Sequence, residues 1–237
     1  VLIEVCVDTA AGLAEAVAGG AGRIELCSAL ALGGLTPSAG LMRAAVAHHL
    51  PIRAMMRPRD GDFVWSAAER DAILHDIATA RAAGLEGVVL GASHPDGRLD
   101  AAALSEMAAA AQGMGRTLHR CFDLVPDWQA ALETAIALGF DHILTSGQAL
   151  RAEDGFDRLV ALRAQAAGRI VILPGSGITP ANAARFAAAG FAELHASCAA
   201  EMPADPRVTA FGFAPPCPRQ TRADRVAALL AAAQAPR

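Results

Sequence analysis

The chain has 237 residues, 54% of them hydrophobic, with a net charge of −4 and a pI near 6.0. Such a balance leaves no basic stripe to neutralise phosphates, which excludes nucleic acid as a partner. No apolar run reaches the roughly 18 residues of a membrane span, and no charged segment precedes an apolar one as in a secretory signal. Five cysteines, an odd number dispersed inside apolar runs, fit reduced thiols rather than a disulfide framework. The expectation is a soluble cytoplasmic protein with no membrane partner.

Eight strand-like runs recur: Leu2–Val7, Arg23–Cys27, Ile52–Met56, Gly87–Leu90, Thr117–Phe122, His142–Thr145, Ile170–Pro174 and Glu193–Ser197. Ala-rich segments of helical spacing lie between them, including Ala11–Ala18, Ala67–Ala83, Gln129–Leu138 and Ala181–Ala189. This alternation predicts parallel strands with crossover helices. No Gly-rich dinucleotide loop follows the first strand, so eight units of one type predict a single (β/α)8 TIM barrel over residues 1–237, α/β in class.

Ser66 with Glu69 spells a capping box, Asp100 and Asp127 are cap candidates, and Thr179-Pro180 reads as a cap followed by a first-turn proline. Gly19, Gly84, Gly139 and Gly190 stand where left-handed helix ends are expected. The Pro-rich segment 199–219 lacks periodicity and reads as a loop-rich stretch, lying over the barrel mouth or mobile, before a closing helix over Ala223–Ala233.

Chemistry collects at the strand ends, where barrel enzymes carry their sites. By strand parity, Glu4, Cys6 and Asp8 share one face of the first strand, and Arg23, Glu25 and Cys27 one face of the second. With both faces inward, two Glu-x-Cys pairs would lie side by side about 5 Å apart. Further along come Arg57 and Arg59 in MMRPRDGDF, His119 to Asp123 in HRCFD, Thr145 to Gly147, PGSGIT from Pro174 to Thr179, and His195 in HASC.

Glu25, His119, Asp123 and Arg57 are the catalytic candidates, with His119 read either as an acid–base group or as a buried, hydrogen-bonded ring. Glu4 and Glu25 equally fit internal charge compensation by nearby arginines. Arg59 with Gly175, Ser176 and Gly177 forms an anion-binding candidate, because glycines let amides approach a ligand ahead of a capped helix. Buried thiols are ordinarily inert core groups. Cys6 and Cys27, on adjacent strands, are nevertheless the candidate pair for one Cu(I), with Met55 or Met56 as a weaker ligand.

In order, IELC with GGLTPS, MMRPRDGDF, HRCFD, LTSG and LPGSGIT resemble the motifs of the CutC family, whose members are called copper homeostasis proteins. The resemblance runs from Leu2 to about Ser197. It implies a cytoplasmic (β/α)8 barrel, homodimeric, linked to copper control and binding Cu(I) through cysteines. It carries attention to Glu4, Cys6, Glu25, Cys27, Arg57, Arg59, His119, Arg120, Asp123 and His195. Asp60 and Ser176 depart from the family pattern, each standing where glycine is usual. Two functions follow: a copper-handling protein, or a barrel enzyme acting by acid–base chemistry on a small anionic or phosphorylated substrate.

Overall fold

The computed structural model describes residues 1–234. Eight parallel strands run β1 (Leu2–Val7), β2 (Arg23–Leu26), β3 (Ile52–Met55), β4 (Gly87–Leu90), β5 (Gly115–Leu118), β6 (His142–Thr145), β7 (Val171–Pro174) and β8 (Glu193–Ala196). They form one sheet in the order β7-β6-β5-β4-β3-β2-β1-β8, a nearly closed (β/α)8 barrel. Among the described residues no ladder joins β7 to β8. Their backbones still meet, since a Cβ on Gly175 would lie 3.4 Å from that of His195.

The alternation of side chains sorts the two faces. Ile3, Val5, Val7, Ile24 and Leu26 point outward into one buried cluster shared with the helices, and that layer is the apolar core. The inward face is polar. Arg23 bridges Glu4 and Glu193, while Arg53 reaches Glu86, Thr117 and His142. Glu4, Arg23, Arg53 and His142 are buried but paired, which is what burial of charge requires.

The barrel helices are α1 (Ala10–Ala18), α2 (Ala39–Val46), α3 (Ala67–Ala83), α4 (Ala101–Ala110), α5 (Trp128–Ala137), α6 (Phe156–Ala166) and α7 (Pro180–Ala188). The capping box holds at α3, where Glu69 accepts from Ser66 N at 2.7 Å and Ser66 Oγ accepts from Glu69 N at 3.3 Å. Asp100 and Asp127 cap α4 and α5 through the amides of Ala103 and Ala130, each at 3.0 Å.

Gly19 departs from expectation. Its φ is −79°, and the left-handed residue is Gly20 at +89°. Gly19 is small for another reason: a Cβ there would lie 2.5 Å from Val226 of the last helix.

Strand bounds differ from expectation by one residue at β2, β3, β7 and β8, and by more at both ends of the fifth strand. The fifth strand begins at Gly115, where a side chain would strike Glu86 and Arg53, and stops at Leu118. Its expected continuation to Phe122 is instead a 3-10 turn over Arg120–Leu124, started by His119, whose Nδ1 accepts from Cys121 N at 3.1 Å. The segment after β8 carries β9 (Ala199–Glu201), α8 (Pro206–Ala210) and β10 (Arg219–Thr221), with β9 and β10 antiparallel. Then α9 (Ala223–Gln234) packs against α7, α1 and β1. Among the described residues no helix is long and apolar enough to cross a membrane.

Candidate functional site

A cavity of about 710 Å³ opens at the carboxyl ends of the strands. Cys6, Glu25, His119 and His195 line it, with Arg57 and Arg120 along one side and Arg151, Ser176 and Gly177 along another.

The β1–β2 register overturns the expected side-by-side Glu-x-Cys pairs. Cys6 stands opposite Glu25, and Glu4 opposite Arg23. Tilted barrel strands are staggered by the shear, so equal sequence motifs do not sit at equal heights. Cys27 therefore lies a step above Glu25, fully buried against Met55, Val89 and Leu30. Its thiol donates to Glu25 at 3.6 Å. Burial, then the neighbouring Glu25, push its pKa well above the ordinary 9.0.

The third member beside Cys6 and Glu25 is His195. Among the described residues, ligand atoms of Cys6, Glu25 and His195 lie within 4.8 Å of one another. His195 Nδ1 donates to Glu4 Oε1 at 2.8 Å, and its Nε2 stands 3.8 Å from Glu25. Burial works against charge on this ring. The charges of Glu25 and Cys6 and hydrogen bonds to Cys6 and Glu4 outweigh it, so its pKa stands well above 6.5.

Burial likewise raises Glu4, but the His195 hydrogen bond and the Arg23 charge overcome it and hold the carboxyl down at about 2. For Glu4 the charge-compensation reading applies. Among the described residues no arginine is bonded to Glu25 and its Oε1 has no partner, and burial raises its pKa.

His119 is clamped between Phe63, 4.7 Å between ring centroids, and the bare backbone of Gly91, where a Cβ would fall 2.0 Å from the ring. With Nδ1 accepting from Cys121 N, the hydrogen sits on Nε2, which has no acceptor. Burial and then Arg57 lower its pKa to about 3, so it presents a neutral N–H donor.

Arg57 gives its Nη hydrogens to the carbonyls of Leu32, Gly34 and Gly61 and lies over the Phe63 ring at 5.2 Å. No carboxylate pairs with it among the described residues, and its Nε has no acceptor.

Other candidates have structural work. Arg59 is ion-paired to Glu69 and Asp62 over the Trp65 ring and does not line the cavity. Asp123 binds Arg120 at 2.7 Å and accepts from Thr145 Oγ1 and from the amides of Ser146 and Gln148. That knot leaves it no free oxygen for a substrate. Gly175 gives its amide to Thr145 O and sits against Leu144 and His195, so packing explains it.

Ser176 and Gly177 do border the cavity, both left-handed at φ 74° and 80°. The strand-end reading noted His195 without giving it a role and passed over Arg151. The parity of ELHA, with His195 two residues after Glu193 on the inward face, was the available signal for the first.

The CutC family profile matches residues 1–200. A CutC family protein of Sinorhizobium medicae is 55% identical over 98% of this chain and 95% of its own length. The chain belongs to the CutC family. Another member, from Caulobacter vibrioides, is 51% identical over 99% of this chain and 98% of its own length. The crystal structure of CutC from Streptococcus agalactiae superposes with a TM-score of 0.79 at 29% identity, covering 83% of this chain and 98% of that one. A thiamine phosphate pyrophosphorylase from Pyrococcus furiosus, at 14% identity and a TM-score of 0.62, shares only the CutC barrel fold.

Proposed function

We propose that this CutC-family chain takes part in control of copper, holding one Cu(I) on Cys6 and His195. Copper homeostasis is the provisional assignment under which the Streptococcus agalactiae structure was described. The observation that carries the reading here is the convergence of Cys6, Glu25 and His195 at the cavity floor.

A thiolate and an imidazole suit Cu(I). A ligand histidine ordinarily gives its other N–H to a carboxylate that orients the ring, as His195 gives Nδ1–H to Glu4. This moves the metal pair from Cys6 and Cys27 to Cys6 and His195. Cys27 is sealed among aliphatic neighbours and keeps its proton. Met55 borders the same cavity as a thioether in reserve.

Binding displaces protons from Cys6 and His195, so affinity falls as pH drops. The test is an anaerobic Cu(I) competition titration. Cys6→Ser and His195→Gln should each weaken binding severely while Cys27→Ser matches the parent. A Cys6→Ser protein that competes as well as the parent would sink the metal reading.

A second reading, an enzyme acting on a small anionic substrate, is favoured by Arg57 and His119. A buried guanidinium without a carboxylate and a neutral N–H donor without an acceptor border one cavity. Titrating the parent and His119→Gln with malonate tests whether that wall receives an anion.

A further inference from the structure

We propose that the loop between β7 and α7 is the seat for the phosphate of a small phosphorylated ligand, held by the Ser176, Gly177 and Ile178 amides with Arg151. The inference deepens the enzyme reading and rests on it, since both place an anionic molecule in this cavity.

The amides of Ser176, Gly177 and Ile178 have no acceptor among the described residues, whereas those on either side are spent. Gly175 N donates to Thr145 O, and Thr179 N to Asn182 Oδ1 at 2.9 Å. Three consecutive unpaired N–H groups therefore stand at the cavity wall immediately before the first turn of a nine-residue helix. Successive unpaired amides of a turn can converge on an anion, and the helix amino terminus adds partial positive charge.

Ser176 Oγ donates to Leu150 O at 2.8 Å, and Ala152 N donates to Ser176 O. Both bonds fix the cradle to the loop that carries Arg151. The Arg151 stem packs 3.5 Å from where a Gly177 Cβ would lie, and its exposed side chain borders the cavity without a carboxylate partner among the described residues.

Independently of this loop, the opposite wall points to a ligand. Arg57, 6% exposed, and His119, 3% exposed, each border the cavity with one N–H unspent. Amides suit the three-fold oxygens of a phosphate, and the polar side chains that line the rest of the cavity, Glu25 and His195 among them, suit a polar body. The ligand class is a phosphate monoester of a small polar molecule.

Calorimetric titration of the full chain with inorganic phosphate, glycerol 3-phosphate and malonate separates the outcomes. Both phosphates should bind the parent, and Arg151→Ala, at an exposed position, should weaken them at least about tenfold. The exposed Arg43→Ala controls for charge alone and should leave binding unchanged. A crystal grown in phosphate should place the anion on the three amides. If malonate binds and neither phosphate does, or if Arg151→Ala binds phosphate like the parent, the seat is refuted and the enzyme reading stands. If none of the three binds, both fall.

Discussion

Cys6 faces Glu25 across the β1–β2 ladder, two residues short of the Cys27 that sequence symmetry pairs with it. The stagger gives the thiols different chemistry. Cys6 borders the open cavity, while Cys27 and Cys121 are fully buried, Cys121 with its pKa pushed to about 12 by burial. Alkylation of the native protein at pH 8 should therefore mark exposed Cys217 first, while Cys27 and Cys121 react only on unfolding. Peptide mapping over time checks the order, and early labelling of Cys27 would contradict the register.

Acid should destabilise the fold in two windows. His119 has a folded pKa of about 3 against 6.5, so stability present above pH 6.5 is lost as pH falls from 6.5 toward 3. Glu4 and Glu193 are each held down to about 2, so their contribution is present above 4.5 and fades between 4.5 and 2. Urea melts across pH should show both slopes. His119→Gln should flatten the upper window only; an unchanged slope there would mean the ring is charged when folded.

Gly91→Ala should cost about 1–3 kcal/mol, the usual penalty of overpacking. The added methyl falls within the His119 ring, which Phe63 prevents from swinging away. Urea denaturation measures the loss, and a neutral substitution would show that the ring is free to move.

Asp123→Asn should behave as a structural lesion. It removes the charge paired with half-exposed Arg120 and misplaces acceptors for Thr145 and Ser146, a loss of about 1–3 kcal/mol for hydrogen bonds to a charged group. The folded fraction should still bind Cu(I) with parental affinity. A stable variant with altered ligand binding would return Asp123 to the site.

Much of this architecture was legible because strand and helix periodicities, caps and breakers agree locally. Ser66, Asp100 and Asp127 cap where their residue types indicate. The inward parity of Glu4, Cys6 and Glu25 was equally readable, since side chains alternate along any strand. The register was not, because shear is a property of the closed sheet and leaves no mark in one strand's residues. Arg57 and Arg59 show the same limit. Two residues apart in one motif, they diverge because Glu69 and Asp62 capture Arg59, whereas the Arg57 guanidinium donates to carbonyls. The early end of the fifth strand leaves no periodic mark, because it depends on the His119 ring accepting from the Cys121 amide.

The unlaced seam between β7 and β8 divides the candidate site along a fault line. One lip carries Gly175 and the unpaired amides after it; the other carries His195. Pro174, at the end of β7, has no N–H with which to stitch them. α9 packs on α7, the helix that crosses from β7 to β8, and on α1, and fastens the cylinder from outside like a hoop on staves. Its fit depends on Gly19, where any side chain would lever Val226 away. A glycine at the far end of the first helix thus sets how closely the last helix clamps the seam, touching neither lip.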